Sequence, residues 1–251
     1  MLELNQVSVD QRLFPLSARV APGSQIHLIG PNGAGKSTLL ARVAGLLPGG
    51  GQVLLDGQPL SHYSAGQLAR RRAYLGQQQP PAAFMPVFQY LALHQPPGCG
   101  AAVLEDTLGY LCRQLKLADK LPRMLAQLSG GEWQRVRLVA ALLQVWPAVN
   151  PLSWLLLLDE PGNSLDVAQK AALDRLLSEL CQQGRSVLVC AHDLNQTLQQ
   201  ADQVWLLRAG RVVAQGPSHD VMVPALLSPV YEIGFHLQMV GEQRWLMTRD
   251  A

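Results

Sequence analysis

Two short glycine-rich segments carry residue types that can hold phosphate, and the first is GPNGAGKST at residues 30–38. It fits the pattern G-x-x-x-x-G-K-[ST], in which backbone N–H groups surround phosphate oxygens at the start of a helix. In this pattern Lys36 reaches the β- and γ-phosphates of a nucleotide, and Ser37 offers its hydroxyl oxygen to Mg²⁺. A glycine-rich turn with a purely structural role is the alternative interpretation.

The second segment is LSGGEWQR at residues 128–135. Ser129 and Glu132 match S-x-x-E, the capping box that opens a helix. Capping does not explain why residues 130 and 131 are both glycine. Two residues without side chains would let an anion approach the helix N-terminus closely, where the helix dipole attracts negative charge. Both interpretations can hold together.

An acid pair follows a continuous apolar run at residues 154–158. Such a run is typical of a central parallel strand, and ligands of open α/β sheets bind where these strands end. We expect Asp159 to hold Mg²⁺ and Glu160 to orient and polarise a water, a role worth roughly 10²–10⁴ in rate. The alternative is an acidic helix start without a catalytic role.

The elements around these segments alternate between strands and helices. An apolar strand at residues 25–29 precedes the first glycine-rich segment, and a helix over about 36–44 follows it, which is the order that a phosphate loop requires. Hairpins are predicted around residues 56–57 and 209–210, and further strands at residues 73–76, 154–158 and 186–190. Apolar residues recur at helical spacing in two stretches: Val136, Val139, Ala140 and Leu143, and Leu173, Leu176, Leu177 and Leu180.

These patterns predict one domain over residues 1–251. Its α/β core covers approximately residues 1–85 and 151–216, and a helical subdomain is inserted at approximately 86–150. The tail at residues 217–251 is weakly patterned and receives no predicted role.

Five ordered segments resemble the motifs of ATP-binding cassette (ABC) ATPases, at residues 30–38, 128–135, 155–161, 164–166 and 191–193. The likeness covers roughly residues 1–216. It implies an α/β fold: a P-loop NTPase (RecA-like) mixed-sheet core, an N-terminal antiparallel β subdomain and an inserted α-helical signature subdomain. It also implies that two copies act together to hydrolyse ATP, with Mg²⁺ as the cofactor.

The resemblance assigns roles to single residues. The implied catalytic residues are Glu160, the switch histidine His192 and the Q-loop residue Gln77. The implied magnesium-binding residues are Ser37, Gln77 and Asp159. The implied nucleotide-binding residues are Gly30, Pro31, Asn32, Gly33, Ala34, Gly35, Lys36, Ser37, Thr38, Arg12, Ser129, Gly130, Gly131 and Asp166. Of these, Ser129 and Gly131 contact the γ-phosphate held by the other copy, and Asp166 lies at the dimer interface. A simple helix N-cap is the alternative for Asp166, and an ordinary polar loop residue is the alternative for Gln77.

The sequence departs from the family pattern at two points. The aromatic residue that stacks on adenine is missing near the start, where Arg12 offers a guanidinium plane and Phe14 is a poorer candidate. Base stacking contributes only ~1–3 kcal/mol, so we expect ATP binding to survive without the aromatic residue. The selectivity for the nucleobase stays open. In addition, Glu132 stands where the commonest signature has Gln.

Composition narrows the function further. The net charge of +2, without a run of Lys or Arg, gives no electrostatic footprint for nucleic acid. No secretory signal is visible, and no apolar stretch reaches the ~18 residues that span a bilayer. The four cysteines lie far apart, as expected of buried or incidental thiols in a reducing compartment.

One cassette without a membrane domain indicates the separate ATPase subunit of a bacterial importer. Segments at residues 74–79, 131–138, 155–161, 163–169 and 192–198 resemble the ATPase subunits of vitamin B12 importers. Importers of iron–siderophore or haem are the close alternatives, followed by ABC ATPases outside transport and soluble P-loop kinases. The resemblance implies three kinds of partner: a second copy, two polytopic permease subunits and, indirectly, a periplasmic substrate-binding protein. It places the chain peripherally on the cytoplasmic face of the inner membrane.

An aromatic loop follows Gln77 and contains Pro80, Pro81, Phe84, Met85, Phe88 and Tyr90. Aromatic and sulfur-bearing side chains are enriched at interface cores. We therefore expect this loop to receive a short helix of the permease, with local packing as the alternative.

Overall fold

The computed structural model describes residues 1–77, 80–81 and 84–249. The chain divides into two compact units, the first formed by Met1–His62 with Leu188–Ala251 and the second by Tyr63–Val187. Within the described residues, no helix is both long enough and apolar enough to cross a membrane. The approximate boundaries predicted for the core, helical subdomain and tail stay predictions.

The strands, in chain order, are β1 (Leu2–Val9), β2 (Leu13–Val20), β3 (Gln25–Ile29), β4 (Gln52–Leu55), β5 (Gln58–Pro59), β6 (Arg72–Leu75), β7 (Leu155–Asp159), β8 (Ser186–Cys190), β9 (Gln203–Arg208), β10 (Arg211–Pro217), β11 (Gly234–Val240) and β12 (Gln243–Arg249). The helices are α1 (Lys36–Val43), α2 (Ala65–Arg71), α3 (Val87–Ala92), α4 (Ala101–Gln114), α5 (Gly130–Val145), α6 (Val167–Gln182), α7 (Leu194–Gln200), α8 (Ser218–Val221) and α9 (Pro224–Tyr231).

The first unit contains an antiparallel sheet and a mixed sheet. The antiparallel sheet has the order β2-β1-β4-β5. In the part of the mixed sheet that lies within this unit, β9 pairs parallel with β3 and antiparallel with β10. Every residue of β3 is buried, as its continuous apolar character predicts. The predicted mixed core sheet and N-terminal antiparallel sheet are confirmed.

The second unit contains the longest helices, α5 and α6, and the parallel pair β6 and β7. The predicted apolar residues of both helices are buried. On α5 burial extends around most of the helix, because Leu138, Ala141 and Leu142 are also enclosed. This helix therefore packs on several sides and shows only a weak amphipathic stripe.

The tail folds into regular structure that the sequence pattern did not predict. Helix α9 is followed by the hairpin of β11 and β12, which α7 holds through side-chain contacts. The Asn195 side chain donates to the carbonyl oxygen of Leu246 at 3.0 Å and accepts from its N–H at 2.7 Å. Gln199 donates to the carbonyl oxygen of Arg244 at 2.8 Å.

All four cysteines lie in the described part of the chain, and none of them forms a disulfide there. Cys112 and Cys190 are buried, whereas Cys99 and Cys181 are half-buried. Burial raises the pKa of the Cys112 thiol to about 11, which keeps it protonated and unreactive at neutral pH.

Candidate functional site

The phosphate loop (residues 30–38) joins β3 to α1 in the first unit, as predicted. Its first glycine, Gly30, has φ +143°, and a Cβ there would lie 2.1 Å from the carbonyl oxygen of Leu207. Only glycine fits this position, because any side chain would collide with the backbone of β9. The turn is therefore fixed by close backbone packing at its base.

Lys36 lies over this loop with its side chain buried. Its ammonium donates to the carbonyl oxygens of Gly30 at 2.7 Å and Pro31 at 3.1 Å. Carbonyl oxygens compensate the charge that burial removes from water. The ammonium is thus held at the turn, where a phosphate group would offer it stronger charged acceptors.

A cavity of about 500 Å³ opens beside the phosphate loop. Its lining includes Arg12, Gly33, Gly35, Lys36, Ser37 and Thr38. The remaining predicted loop residues complete the turn, with Asn32 exposed, Pro31 half-buried and Ala34 buried. The structure thus brings the predicted phosphate-binding residues and Arg12 together in one place.

Arg12 and Phe14, the two candidates for adenine stacking, have different surroundings. Arg12 lines the cavity, whereas Phe14 lines a separate groove along β2 and β10. The guanidinium carbon of Arg211 lies 3.6 Å from the centre of the Phe14 ring, a cation–π contact that occupies one face of the ring. These surroundings favour Arg12 over Phe14, and the stacking role of Arg12 stays a prediction.

His192 is exposed and lies two residues after the end of β8, in the first unit. The next residue, Asp193, caps α7 by accepting from the N–H of Gln196 at 2.9 Å. Further along α7, the hydroxyl of Thr197 lies 3.0 Å from Nδ1 of His27 on β3. The helix after His192 and the strand before the phosphate loop are therefore joined by a buried polar contact.

In the second unit, the signature segment (residues 128–135) begins α5 with a full capping box. The Ser129 hydroxyl accepts from the N–H of Glu132 at 3.2 Å, and the Glu132 carboxylate accepts from the N–H of Ser129 at 2.9 Å. The bond from the Ser129 backbone lowers the pKa of Glu132 below its usual value. The predicted capping interpretation is confirmed, and Ser129 and Gly130 remain exposed.

Gly131 has a separate reason to be glycine. A Cβ at this position would lie 2.6 Å from the carbonyl oxygen of Ser164. The start of α5 therefore packs against the backbone that follows Glu160, and a larger residue would push the two apart. The close approach accounts for a glycine that capping alone does not explain.

Asp159 and Glu160 stand at the end of β7, in agreement with the predicted strand. Asp159 is 2% exposed, and Glu160 is half-buried with φ +52°. A left-handed conformation is uncommon for a residue with a side chain, and such strain concentrates at functional sites. The backbone thus turns sharply at the predicted catalytic carboxylate.

Sequence reasoning missed Asn163 as a partner of Glu160. The Asn163 amide donates to Oε2 of Glu160 at 2.6 Å, across the turn that follows β7. A hydrogen bond to a carboxylate is shorter and stronger than one between neutral groups. The only signal in the sequence is an amide three residues after the acid.

Asp166 caps α6, as the simpler of its two predicted roles requires. Its carboxylate accepts from the N–H of Gln169 at 2.8 Å, and the Gln169 side chain accepts from the N–H of Asp166 at 3.2 Å. The predicted position at a dimer interface is a separate matter and stays a prediction.

Gln77 is exposed and directly follows β6 and Gly76, while its neighbours Gln78 and Gln79 lie outside the described residues. Its carbonyl oxygen accepts from Nη2 of Arg137 at 3.1 Å, and the carbonyl oxygen of Gly76 accepts from the same atom at 2.7 Å. Sequence reasoning missed Arg137, which lies on α5.

The aromatic loop divides into an exposed and a packed part. Phe84 is 93% exposed and Phe88 is 50% exposed. The Tyr90 ring packs 5.0 Å from Trp133 and 4.4 Å from His94, measured between ring centres. Local packing thus explains Tyr90, and the two phenylalanines leave apolar surface in water.

The chain matches the ABC transporter family over residues 13–163. It belongs to this family. Domains of this family bind ATP, and the phosphate loop with its cavity agrees with that activity.

The chain is 61% identical to the vitamin B12 import ATP-binding protein BtuD of Yersinia enterocolitica, over 100% of this chain and 99% of the relative. It is 60% identical to the protein of the same name from Pectobacterium atrosepticum, over 100% of both chains.

The family fold also agrees with a solved structure. The structure described as "Structure of ATP binding subunit of ABC transporter" superimposes with a TM-score of 0.79 at 28% identity. The match covers 88% of this chain and 91% of that one. The ABC ATPase fold predicted from the ordered motifs is confirmed.

Proposed function

We propose that this chain is the ATP-hydrolysing subunit of a bacterial vitamin B12 importer. The observation that carries the proposal is the full-length identity of 61% to a vitamin B12 import ATP-binding protein, combined with a phosphate loop whose cavity is lined by Lys36 and Ser37. In this proposal the chain binds and hydrolyses ATP, and a separate permease uses that energy to move the cargo.

In the proposal, the phosphate loop binds the nucleotide. Backbone N–H groups and Lys36 hold the β- and γ-phosphates, and Lys36 exchanges its carbonyl acceptors for phosphate oxygens. The Ser37 hydroxyl and the Asp159 carboxylate are oxygen donors of the kind that Mg²⁺ binds in nucleotide sites, so these residues fit the metal. Bound with the nucleotide, Mg²⁺ would offset the negative charge of the phosphates.

Glu160 is the proposed base for the attacking water. Its carboxylate accepts the proton as the water oxygen bonds to the γ-phosphorus and the bond to the leaving ADP oxygen breaks. His192 donates a hydrogen bond to the γ-phosphate, and Gln77 orients the water. Asn163 supports the proposal, because its hydrogen bond fixes the Glu160 carboxylate.

Two copies are proposed to act together. Ser129 and Gly131 of one copy contact the γ-phosphate held by the other, and Asp166 lies at the same interface. ATP binds the closed pair of copies better than the open pair, and it therefore increases the fraction of pairs that are closed. Two polytopic permease subunits would follow this change at the cytoplasmic face of the inner membrane, with a periplasmic binding protein delivering cargo to them.

The test is uptake by proteoliposomes that contain this chain and the permease that co-purifies with it from membranes. We expect ATP-dependent uptake of cobalamin and none with Lys36→Ala. Transport of a ferric siderophore or haem in place of cobalamin would reassign the cargo, and a wild-type complex that hydrolyses ATP but imports none of these cargoes would contradict the importer assignment.

The exposed phenylalanines of the aromatic loop are proposed to dock the permease. Replacing both Phe84 and Phe88 with Ser should preserve the ATPase activity of the isolated subunit and reduce co-purification with the permease at least tenfold, because buried aromatic contacts dominate such interfaces. Leu152→Ser is the matched control, since Leu152 is 55% exposed and lies outside the loop. Unchanged assembly and uptake of the double variant would exclude this docking site.

A further inference from the structure

Helix α5 makes two contacts with segments that carry proposed catalytic residues. We propose that Arg137 is a positioning residue that anchors Gln77 and, through Gln134, ties it to the turn after Glu160. The inference rests on the proposed function, in which Gln77 and Glu160 act on the same water. Its geometry lies wholly within the second unit.

The first contact fixes the backbone at Gln77. Nη2 of Arg137 donates to the carbonyl oxygens of Gly76 at 2.7 Å and Gln77 at 3.1 Å. Sixty-one residues separate Gly76 from Arg137, so this contact is made by the fold. The Gln77 side chain is exposed. Its position relative to a ligand is therefore set by its backbone, which Arg137 holds through the carbonyl oxygen.

The second contact passes through Gln134, which is 1% exposed. Its Oε1 accepts from Nη1 of Arg137 at 3.0 Å, and its Nε2 donates to the carbonyl oxygen of Pro161 at 3.0 Å. Only one orientation of the amide satisfies both partners, since the oxygen must face the guanidinium and the nitrogen must face the carbonyl. Gln134 thus joins Arg137 to the residue directly after Glu160.

Helical spacing places both side chains on one face of α5. Residues three apart are neighbours on a helix surface, so Gln134 and Arg137 present one continuous polar surface to both segments. Ser129, the proposed contact to the other copy's nucleotide, caps the start of the same helix. A shift of α5 would therefore carry the backbone at Gln77 and Pro161 with it.

The chemistry of Arg137 favours positioning over charge pairing. It forms no salt bridge with the carboxylates that the structure describes. Its three oxygen acceptors are uncharged, and two separate nitrogens of the guanidinium reach them. Lysine keeps the charge but presents a single nitrogen and cannot replace this fork.

The decisive variant is Arg137→Lys in the complex with the permease. We expect the KM for ATP to stay within about twofold and kcat to fall on the order of tenfold, because misplacing a reacting group by a fraction of an ångström costs rate and not binding. In a Gln77→Ala background, Arg137→Lys should cause no further loss, since the anchored residue is already gone. Arg175→Lys is the control, because Arg175 is exposed on α6.

Hydrogen exchange in the nucleotide-free protein tests the anchor without turnover. Arg137→Lys should raise exchange in peptides that contain Gln77 and leave those of β3 unchanged. Normal kcat, loss that adds to that of Gln77→Ala, or unchanged exchange at Gln77 would each overturn the inference. Failure of cobalamin uptake by the wild-type complex, with the exchange difference intact, would instead refute the proposed function.

Discussion

The imidazole of His27 lies inside the first unit with 3% exposure. Its Nε2 is 3.1 Å from the amide nitrogen of Gln25, and its Nδ1 is 3.0 Å from the hydroxyl of Thr197. An amide nitrogen only donates, so Nε2 accepts and the ring is neutral with its proton on Nδ1. Burial lowers the pKa of His27 to about 4.

This buried neutral histidine makes stability depend on pH. The folded pKa of about 4 lies below the unfolded value of 6.5, so between these values the unfolded state binds more protons and stability rises with pH. We expect the free energy of unfolding to fall as the pH drops from about 6.5 towards 4, by at most roughly 1.4 kcal/mol per pH unit.

Chemical denaturation of wild type and His27→Gln at pH 7.0 and 5.0 measures this effect. The difference in stability between the two proteins should shrink at the lower pH, because Gln has no proton to gain. Carboxylates titrate in both proteins and cancel in the comparison. An identical difference at the two pH values would show that His27 does not titrate in this range.

At the scale of the elements, the start of α5 combines a helix cap with a proposed nucleotide contact, and one substitution separates them. Ser129→Asp should keep the cap, because Asp and Ser are similar at this position, and stability should change by less than about 0.5 kcal/mol. ATPase activity should fall on the order of 100-fold or more, since like charges about 4 Å apart repel by roughly 4 kcal/mol near a protein surface.

Thermal unfolding and ATPase assays measure the two effects. Ser64→Asp is the matched control, because Ser64 caps α2 with the same kind of capping box. If Ser129→Asp retained full turnover, the signature segment would have only the structural role of a helix start.

The C-terminal hairpin depends on α7 for its position. Asn195→Ala removes two hydrogen bonds to Leu246 and should destabilise the attachment by about 1–3 kcal/mol, because the backbone groups of Leu246 lose their partners. Hydrogen exchange and limited proteolysis over residues 234–249 should both increase. Gln199→Ala removes a single bond and should have a smaller effect; equal protection in the Asn195 variant would mean that other contacts hold the hairpin.

The sequence predicts some of these elements much better than others. Continuous apolar runs predicted the buried strands β3, β7 and β8, and the glycine pattern predicted the phosphate loop. The two segment contacts of Arg137 at Gly76 and Gln77 left no trace, because their acceptors are backbone carbonyl oxygens and every residue has one. The hairpin at residues 234–249 was missed because most of it is exposed, which weakens the alternation that marks a half-buried strand.

At the scale of the whole molecule, the proposal divides each catalytic pocket between two copies. The phosphate loop of one copy and the signature segment of the other hold the same nucleotide. A homodimer of either Lys36→Ala or Ser129→Asp then has one defect in every pocket. A heterodimer of the two variants has both defects in one pocket and none in the other.

Mixing the two variants tests this arrangement directly. After exchange of subunits at equal concentration, half of the dimers are mixed and each holds one intact pocket of two. We expect about one quarter of wild-type turnover if the two pockets of a twofold dimer act independently. Specific activity should also rise with protein concentration, because the active species is a pair.

Each variant alone, carried through the same exchange, sets the background. A mixture that stays at this background, while cross-linking shows that mixed dimers have formed, would mean that the pocket is not shared between copies.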